Sequence, residues 1–228
     1  IDVALPGNLR AILKTLANKN GLADRTASAR LTVSRGRSDR GLAFPSRARP
    51  TMLLTLAPAP EAAPATPAVL TLSRFVRAEK SAASRYKTMN YLDNILSLAE
   101  AQKAGADAGV MLNSRGRVAC ASAANIFLIG ADAVATPSID EGALPGIVRG
   151  LLLKSAPEMR APVIERAIEV DELRAGALFI ANSLIGLRPS RLKDGPAPSA
   201  AQTEIFTMLA AWYQRRLIQD LKEKNALP

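Results

Sequence analysis

Leu9, Ile12, Leu13 and Leu16 fall at i, i+3, i+4 and i+7, which puts four apolar side chains on one face of a helix, and Asn20-Gly21 follows as a stop. The period then changes. Ala29, Leu31 and Val33 alternate with Arg30, Thr32 and Ser34, which predicts a half-buried strand. TMLLTLAP, residues 51–58, is a second strand candidate. The stretch APAPEAAPATPA, residues 57–68, reads as a loop or an interdomain connection, because proline removes ladder donors and fixes φ. A short strand near Val69–Leu72 precedes a basic, irregular segment that runs to Lys87.

Leu92, Ile95, Leu96 and Ala99 mark an amphipathic helix closed by Gly105. AGVMLNSRGRVAC reads as a hairpin turning at Asn113 to Gly116, and ANIFLIG as another strand. GALPGIVRGLLLKSA predicts a proline–glycine turn leading into a helix. PVIERAI and ALFIAN are two more strands with DELRAG between them, and a long amphipathic helix from about Ala200 to Lys224 carries Ile205, Leu209, Trp212 and Leu217. Strands and helices mixed without regular βαβ alternation argue for an α/β fold of the mixed α+β kind and against a doubly wound sheet. The expected organisation is a small α/β domain over residues 1–75, a linker over 76–86 and a larger mixed domain over 87–228.

Composition narrows the chemistry. With 228 residues, of which 48% are apolar and 22% charged, the chain can build a substantial core. One cysteine excludes an internal disulfide, and the absence of histidine excludes every Ser–His or Cys–His arrangement and every imidazole metal site in this chain. No apolar run reaches the roughly 20 residues of a membrane-crossing helix. The start IDVALPGNLR lacks the basic head and apolar core of a signal peptide, so a cytoplasmic location is expected. The chain opens at Ile1 in what reads as the middle of a fold, and residues upstream are expected to be missing.

Thirty Lys and Arg against twenty Asp and Glu give a net charge of +10, with Arg25, Arg30, Arg35, Arg37, Arg40, Arg47 and Arg49 crowded into the first fifty residues. Such a surface either is simply solvated or attracts nucleic acid, an anionic membrane or an anionic small ligand. Aromatic residues are 4% of the chain and none is interleaved with the basic positions, so a base-stacking reader is not expected.

Four segments could carry chemistry. In LPGIVRG, Leu144 to Gly150, the amides of Ile147 and Val148 would open a helix and could bind phosphate, although Pro-Gly is also an ordinary helix start. Lys87 is either a solvated cation or an amine that forms a Schiff base with an aldehyde cofactor. Asn182 and Ser183 end a strand and Asn125 begins one, where a turn or cap explains them as readily as a ligand does.

Their order is more informative than any one of them. A lysine, then Asn-Ile-Phe, then LPGI-x-R, then NS-x-x-G-x-RP resembles the fold-type IV pyridoxal-phosphate enzymes, which include branched-chain and D-amino acid aminotransferases and 4-amino-4-deoxychorismate lyases. The resemblance runs from RLTVSRG to NSLIGLRPS. It implies a two-domain architecture with an incomplete N-terminal domain here, pyridoxal 5'-phosphate as cofactor, a small-molecule amino substrate, a homodimer, and neither nucleic acid nor membrane as partner. It further implies that Lys87 holds the cofactor, that Tyr91 lies near its phenolic oxygen, and that Ile147, Val148, Ser183 and Leu184 contact its phosphate. Arg35 would meet the substrate carboxylate, Arg149 would be structural, and Asn125 would brace its strand.

Two departures from the family pattern stand out. An upstream H-x-x-R-L-like segment, whose arginine grips the phosphate, is not in this sequence. Cys120 stands five residues before Asn125, where the family usually has a glutamate that keeps the pyridine nitrogen protonated. A thiol titrates near about 8.5 and glutamate near about 4.3, so Cys120 would be largely neutral. Transamination should suffer most from that exchange and elimination least. The small residues around Ala123-Ala124-Asn125 point the same way, toward the lyase, with an aminotransferase or a degenerate, non-catalytic member as alternatives. Cys120 as a plain buried hydrophobe is an equal reading of the same residue.

Overall fold

The computed structural model describes residues 3–59, 66–154 and 161–225. The chain divides into two compact units, Ile1–Glu61 and Ala62–Pro228. The smaller unit holds helix α1 (Leu9–Lys19) and an antiparallel pair, β1 (Ala27–Ser34) and β2 (Thr51–Pro58), in unbroken register from Ala27↔Pro58 to Ser34↔Thr51. The alternation expected for β1 is not reproduced in its burial, and Leu31 is exposed. A two-stranded sheet has no second layer to cover each of its faces.

The division at Glu61/Ala62 corrects the expected boundary at residue 75. Strand β3 (Ala68–Leu72) is hydrogen-bonded on both edges inside the larger unit's sheet, so it cannot belong to the smaller one, and residues 76–86 are part of the larger unit. Much of the proline–alanine connection read at 57–68 lies outside the described residues.

After β3 come helices α2 (Ala82–Arg85) and α3 (Leu92–Lys103), then β4 (Ala108–Leu112), β5 (Val118–Ala121), β6 (Asn125–Ile129) and β7 (Val134–Thr136). Helix α4 (Ile147–Lys154), β8 (Val163–Glu165), α5 (Val170–Ala175), β9 (Ala177–Asn182), β10 (Gly186–Leu192) and α6 (Ala200–Asn225) complete the unit. The eight strands run β5-β4-β3-β10-β9-β6-β7-β8. β5 and β6 are five places apart in that order, which in a flat sheet is about 24 Å. The chain from Ala121 to Asn125 can reach only about 14 Å. The sheet therefore curls back on itself, and Ala121 forms a bridge to Ala124 where the two strands meet.

The curl creates two cores. Ile126 and Leu128 of β6 and Leu178 and Ile180 of β9 pack with Leu70, Val110 and Val118 on one face. Phe127, Phe179 and Ala181 point the other way and pack with Val148 and Leu152 of α4 and Leu209 and Tyr213 of α6. Strands buried on both faces need apolar side chains at every position, which is why NIFLI and ALFIAN read as unbroken hydrophobic runs. Phe127 and Phe179 are register partners, and their rings stack with centroids 4.4 Å apart.

Helix α3 departs from the expected orientation. Its buried residues are Asn94, Ser97 and Ala101, while Leu92 and Ile95 are 63% and 61% exposed. Gly109 explains the choice: a Cβ there would run into Ser97, so α3 lies close on β4 through its small and polar face. The strand read over PVIERAI shortens to β8, whereas β7, β10 and the short helix α2 were not anticipated.

The β4–β5 turn is as expected, with Gly116 at φ 76. It is anchored by a buried carboxylate. The Ser114 hydroxyl donates to Glu79 Oε1 at 2.6 Å and the Ser114 N–H to Oε2 at 3.2 Å. The Ser114 hydroxyl, then the N–H groups of Glu79 and Ser114, hold the Glu79 carboxyl down at about 2, and the Arg115 cation adds to this. A carboxylate lowered on folding stabilises the native state above its ordinary value near 4.5 and loses that contribution as pH falls toward about 2. Replacing Glu79 with Gln should therefore flatten the decline in stability between those two pH values, read as urea midpoints across an acid series. An unchanged slope would show that the Ser114 contacts do not bias the titration.

Candidate active site

The segment Cys120–Asn125 touches each candidate element in turn. Asn94 of α3 donates from Nδ2 to the Ser122 carbonyl at 2.9 Å. Asn182 donates from Nδ2 to the Ala123 carbonyl at 3.0 Å. Asn125 donates from Nδ2 to the Leu144 carbonyl at 2.9 Å, at the entry to α4, and pairs with Ala181 in the β6–β9 register. Asn94 lies seven residues after Lys87, Leu144 three before Ile147 and Asn182 next to Ser183, so the turn is tied to the three segments that carry these candidates.

Lys87 is exposed, and its Nζ sits 3.7 Å from the ring centroid of Tyr91, a cation–π contact. Tyr91 is also the residue whose carbonyl accepts the first helical N–H of α3, from Ile95 at 2.9 Å. The amine and the ring are thus neighbours, as the spacing of four residues permits.

At α4 the Gly146 N–H donates to the Leu144 carbonyl, and the first helical bond is from Gly150 to the Gly146 carbonyl. The amides of Ile147, Val148 and Arg149 precede that bond, and amides in this position have no intrahelical acceptor. Val148 is buried and its side chain fixes the helix to the core, while the Ile147 side chain is exposed. A Cβ on Gly146 would run into Asn125 Oδ1. Only glycine lets the turn come this close to β6, and amides that open a helix without intrahelical acceptors are suited to an anion.

The turn expected to supply the second phosphate contact differs in detail. The N–H groups of Leu184 and Ile185 both donate to Asn182 Oδ1, at 2.8 and 2.9 Å, so the Leu184 amide is already engaged within its own turn. Ser183 is exposed beside it. Arg149 is buried, with Nη2 on the Pro137 carbonyl at 2.8 Å and on Glu165, which agrees with a structural part.

Cys120 lies in β5 at 5% exposure, opposite Met111 and packed with Ala119 and Phe75. Burial pushes its thiol up to about 11, and the Arg77 cation pulls the other way. It is a neutral group at any physiological pH. Arg35 belongs to the smaller unit, where its guanidinium lies 4.1 Å from the Phe44 ring centroid.

Arg77 itself escaped sequence reasoning. It sits in the segment read as basic and irregular, yet it is buried, and its guanidinium reaches Gly142, Asn94 and Ser84. Nothing in the local sequence separates a buried arginine from its exposed neighbours. Among the described residues there is no cluster of three acidic, Cys or His side chains that could hold a metal, and no helix long and apolar enough to cross a membrane.

The donor types fit a phosphate-bearing aldehyde: Lys87 offers an exposed primary amine, and the turn at Gly146 opens a helix whose first amides have no intrahelical acceptor. The family profile for class IV amino-transferases matches residues 5–192. A putative branched-chain-amino-acid aminotransferase of Methanocaldococcus jannaschii is 29% identical over 207 residues, covering 86% of this chain and 68% of the relative. The aminodeoxychorismate lyase of Bacillus subtilis is 25% identical over 216 residues, covering 94% of this chain and 73% of the relative. Among solved structures, a putative 4-amino-4-deoxychorismate lyase from Legionella pneumophila superimposes with a TM-score of 0.80 at 23% identity, over 92% of this chain and 78% of that one. Aminotransferases and lyases both match over most of the chain, and with the profile spanning the curled sheet from end to end, this chain belongs to the class IV aminotransferase family.

Proposed function

We propose that the chain is a pyridoxal-phosphate-dependent enzyme working through Lys87, and that its reaction is the release of pyruvate from 4-amino-4-deoxychorismate. The bound cofactor would supply an aldehyde for the substrate amine and a conjugated ring that accepts the electrons of the bond broken at the α carbon. Lys87 Nζ would hold the cofactor and then take the proton from the carbon that bears the amine. The enolpyruvyl C–O bond breaks, the ring becomes aromatic, and the departing enol gains a proton to become pyruvate, leaving 4-aminobenzoate. The amides of Ile147 and Val148 and the Ser183 turn would hold the phosphate, with Leu184 contributing through its turn and Tyr91 beside the amine. Arg35 is proposed to meet a substrate carboxylate.

The buried, neutral Cys120 carries the preference for elimination. A thiol at the position where the resemblance expects a carboxylate holds no negative charge to keep a ring nitrogen protonated. A bound cofactor would then be a weaker electron acceptor, and transamination would lose most. Departure of a good leaving group with aromatisation needs less withdrawal. The cationic surface would speed the approach of a dianionic substrate.

The exposed apolar stripe of α3, with Leu92, Ile95 and Leu96 beside exposed Tyr86 and Met89, supports the homodimer reading. A second copy would cover the face that the sequence marks as one to bury.

Four outcomes are expected. Purified chain given pyridoxal phosphate develops a yellow absorption band that borohydride bleaches, with the modification mapped to Lys87 and lost in Lys87→Ala. It then forms pyruvate and 4-aminobenzoate from 4-amino-4-deoxychorismate; glutamate formed from branched-chain or D-amino acids and 2-oxoglutarate at comparable rates would reverse the preference. Gly146→Ala weakens pyridoxal-phosphate binding about tenfold or more in fluorescence titrations, because the turn must move off Asn125. Gly150→Ala, where a Cβ meets open space, leaves the affinity unchanged. In sedimentation, Ile95→Glu moves the chain from dimer to monomer without lowering the thermal midpoint of the monomer; a wild type that is already monomeric refutes the stripe's role.

A further inference from the structure

Arg77 holds the lysine-bearing segment in a three-way clamp. Its Nε donates to the Gly142 carbonyl at 3.2 Å, Nη1 to Asn94 Oδ1 at 3.0 Å and Nη2 to the Ser84 carbonyl at 3.1 Å. Ser84 and Asn94 bracket Lys87. Between them the chain has only the end of α2, a mostly exposed irregular stretch with local turn hydrogen bonds, and the start of α3. Gly142 leads within two residues to Leu144, the acceptor for Asn125. Asn94 passes the linkage on to Ser122. One guanidinium therefore couples both ends of the Lys87 segment to the loop that enters α4 and, through Asn94, to the β5–β6 turn.

Gly142 completes the clamp. It closes a short helical turn at Ile139–Glu141 with φ 98, and a Cβ there would press on Arg77 Cγ and Glu79. The left-handed conformation points its carbonyl at Arg77, and any side chain would have to displace the guanidinium stem. The same turn is held from the other side by Glu141, which is buried and accepts from Arg115 and Arg117. The anchor is buried and held at three points, and the lysine segment between the anchored ends is mostly exposed.

We infer that Arg77 is a positioning residue that sets where the Lys87 amine stands relative to the anion cradle at α4. This rests on the Lys87 reading above. The guanidinium is suited to the task because its planar fork donates in three fixed directions, which an ammonium cannot reproduce. Charge is secondary: the Arg77 cation also acts on the buried Cys120 thiol, and a lysine in its place would keep that cation while losing the fork.

The test compares the full chain with Arg77→Lys, Arg77→Gln and the milder Asn94→Ala. Amide hydrogen exchange is read without cofactor. Exchange over residues 82–94 should rise about tenfold or more in Arg77→Lys while β6 and β9 stay unchanged. No local rise, or an equal rise through the sheet, overturns the inference. Affinities are read in parallel. Formation of the borohydride-sensitive band should require about tenfold more pyridoxal phosphate in Arg77→Lys, with inorganic phosphate affinity within about twofold of wild type. Equal losses for both ligands, or full rescue by lysine, would assign Arg77 to general stability or to charge and sink the positioning role. Asn94→Ala should move both readouts in the same direction by less. If the wild type forms no band at all, the cofactor reading fails, and the exchange experiment still decides whether Arg77 clamps the segment.

Discussion

The three residues Ser122, Ala123 and Ala124 connect strands that lie five places apart in an eight-stranded sheet. So short a link is possible only if the sheet curls, and the turn made by the curl is tied to three distant segments. Ser122 accepts from the helix that follows the lysine, Ala123 from the asparagine ahead of Ser183, and Asn125 donates to the loop that enters α4. Each contact is an ordinary hydrogen bond, worth about 1 kcal/mol net. Their value is geometric. They tie the helix that follows Lys87, the loop that enters α4 and the end of β9, which come from distant parts of the chain, to one turn.

Around this turn the protein uses polar groups where small proteins commonly use packing. Arg77, Glu79, Asn94, Asn113, Ser122, Glu141 and Arg149 are all buried, and each of them accepts or donates a hydrogen bond. A buried polar group without a partner is costly, so such a network tolerates few alternative arrangements. The apolar cores on the two faces of β6 and β9 provide the bulk of the stability, and the polar network fixes which loop goes where. Cys120 lies where the two systems meet, packed with Met111 and Phe75 yet within the field of Arg77.

Helix α3 shows why a correct pattern can be misread. Its apolar positions are spaced for a helix, and the helix forms. Which face is buried was settled by Gly109, whose lack of a side chain lets α3 approach β4 through Ser97. The apolar stripe is left facing outward, where another molecule could cover it. Periodicity reports that a face exists; it does not say what covers it. Likewise β7 and β10 were missed because Val134–Thr136 is too short to show a period, and Gly186–Leu192 mixes Arg, Pro and Ser into a strand paired on both sides.

The sequence alone determined the elements with strong local signals: the apolar runs of β6 and β9, the Asn-Ser-Arg-Gly turn, the helix after Pro145-Gly146 and the long C-terminal helix. It also placed Lys87, Asn125 and the LPGIVRG segment in an order similar to that of one enzyme family. Those features depend on neighbouring residues, so they are written in short stretches of chain. The tertiary structure decided the rest: the division at Glu61/Ala62, the side of α3 that is buried, the engagement of the Leu184 amide within its own turn, and the burial of Arg77. These depend on contacts between residues tens of positions apart, and no local pattern of side chains encodes which carbonyl a distant guanidinium will meet.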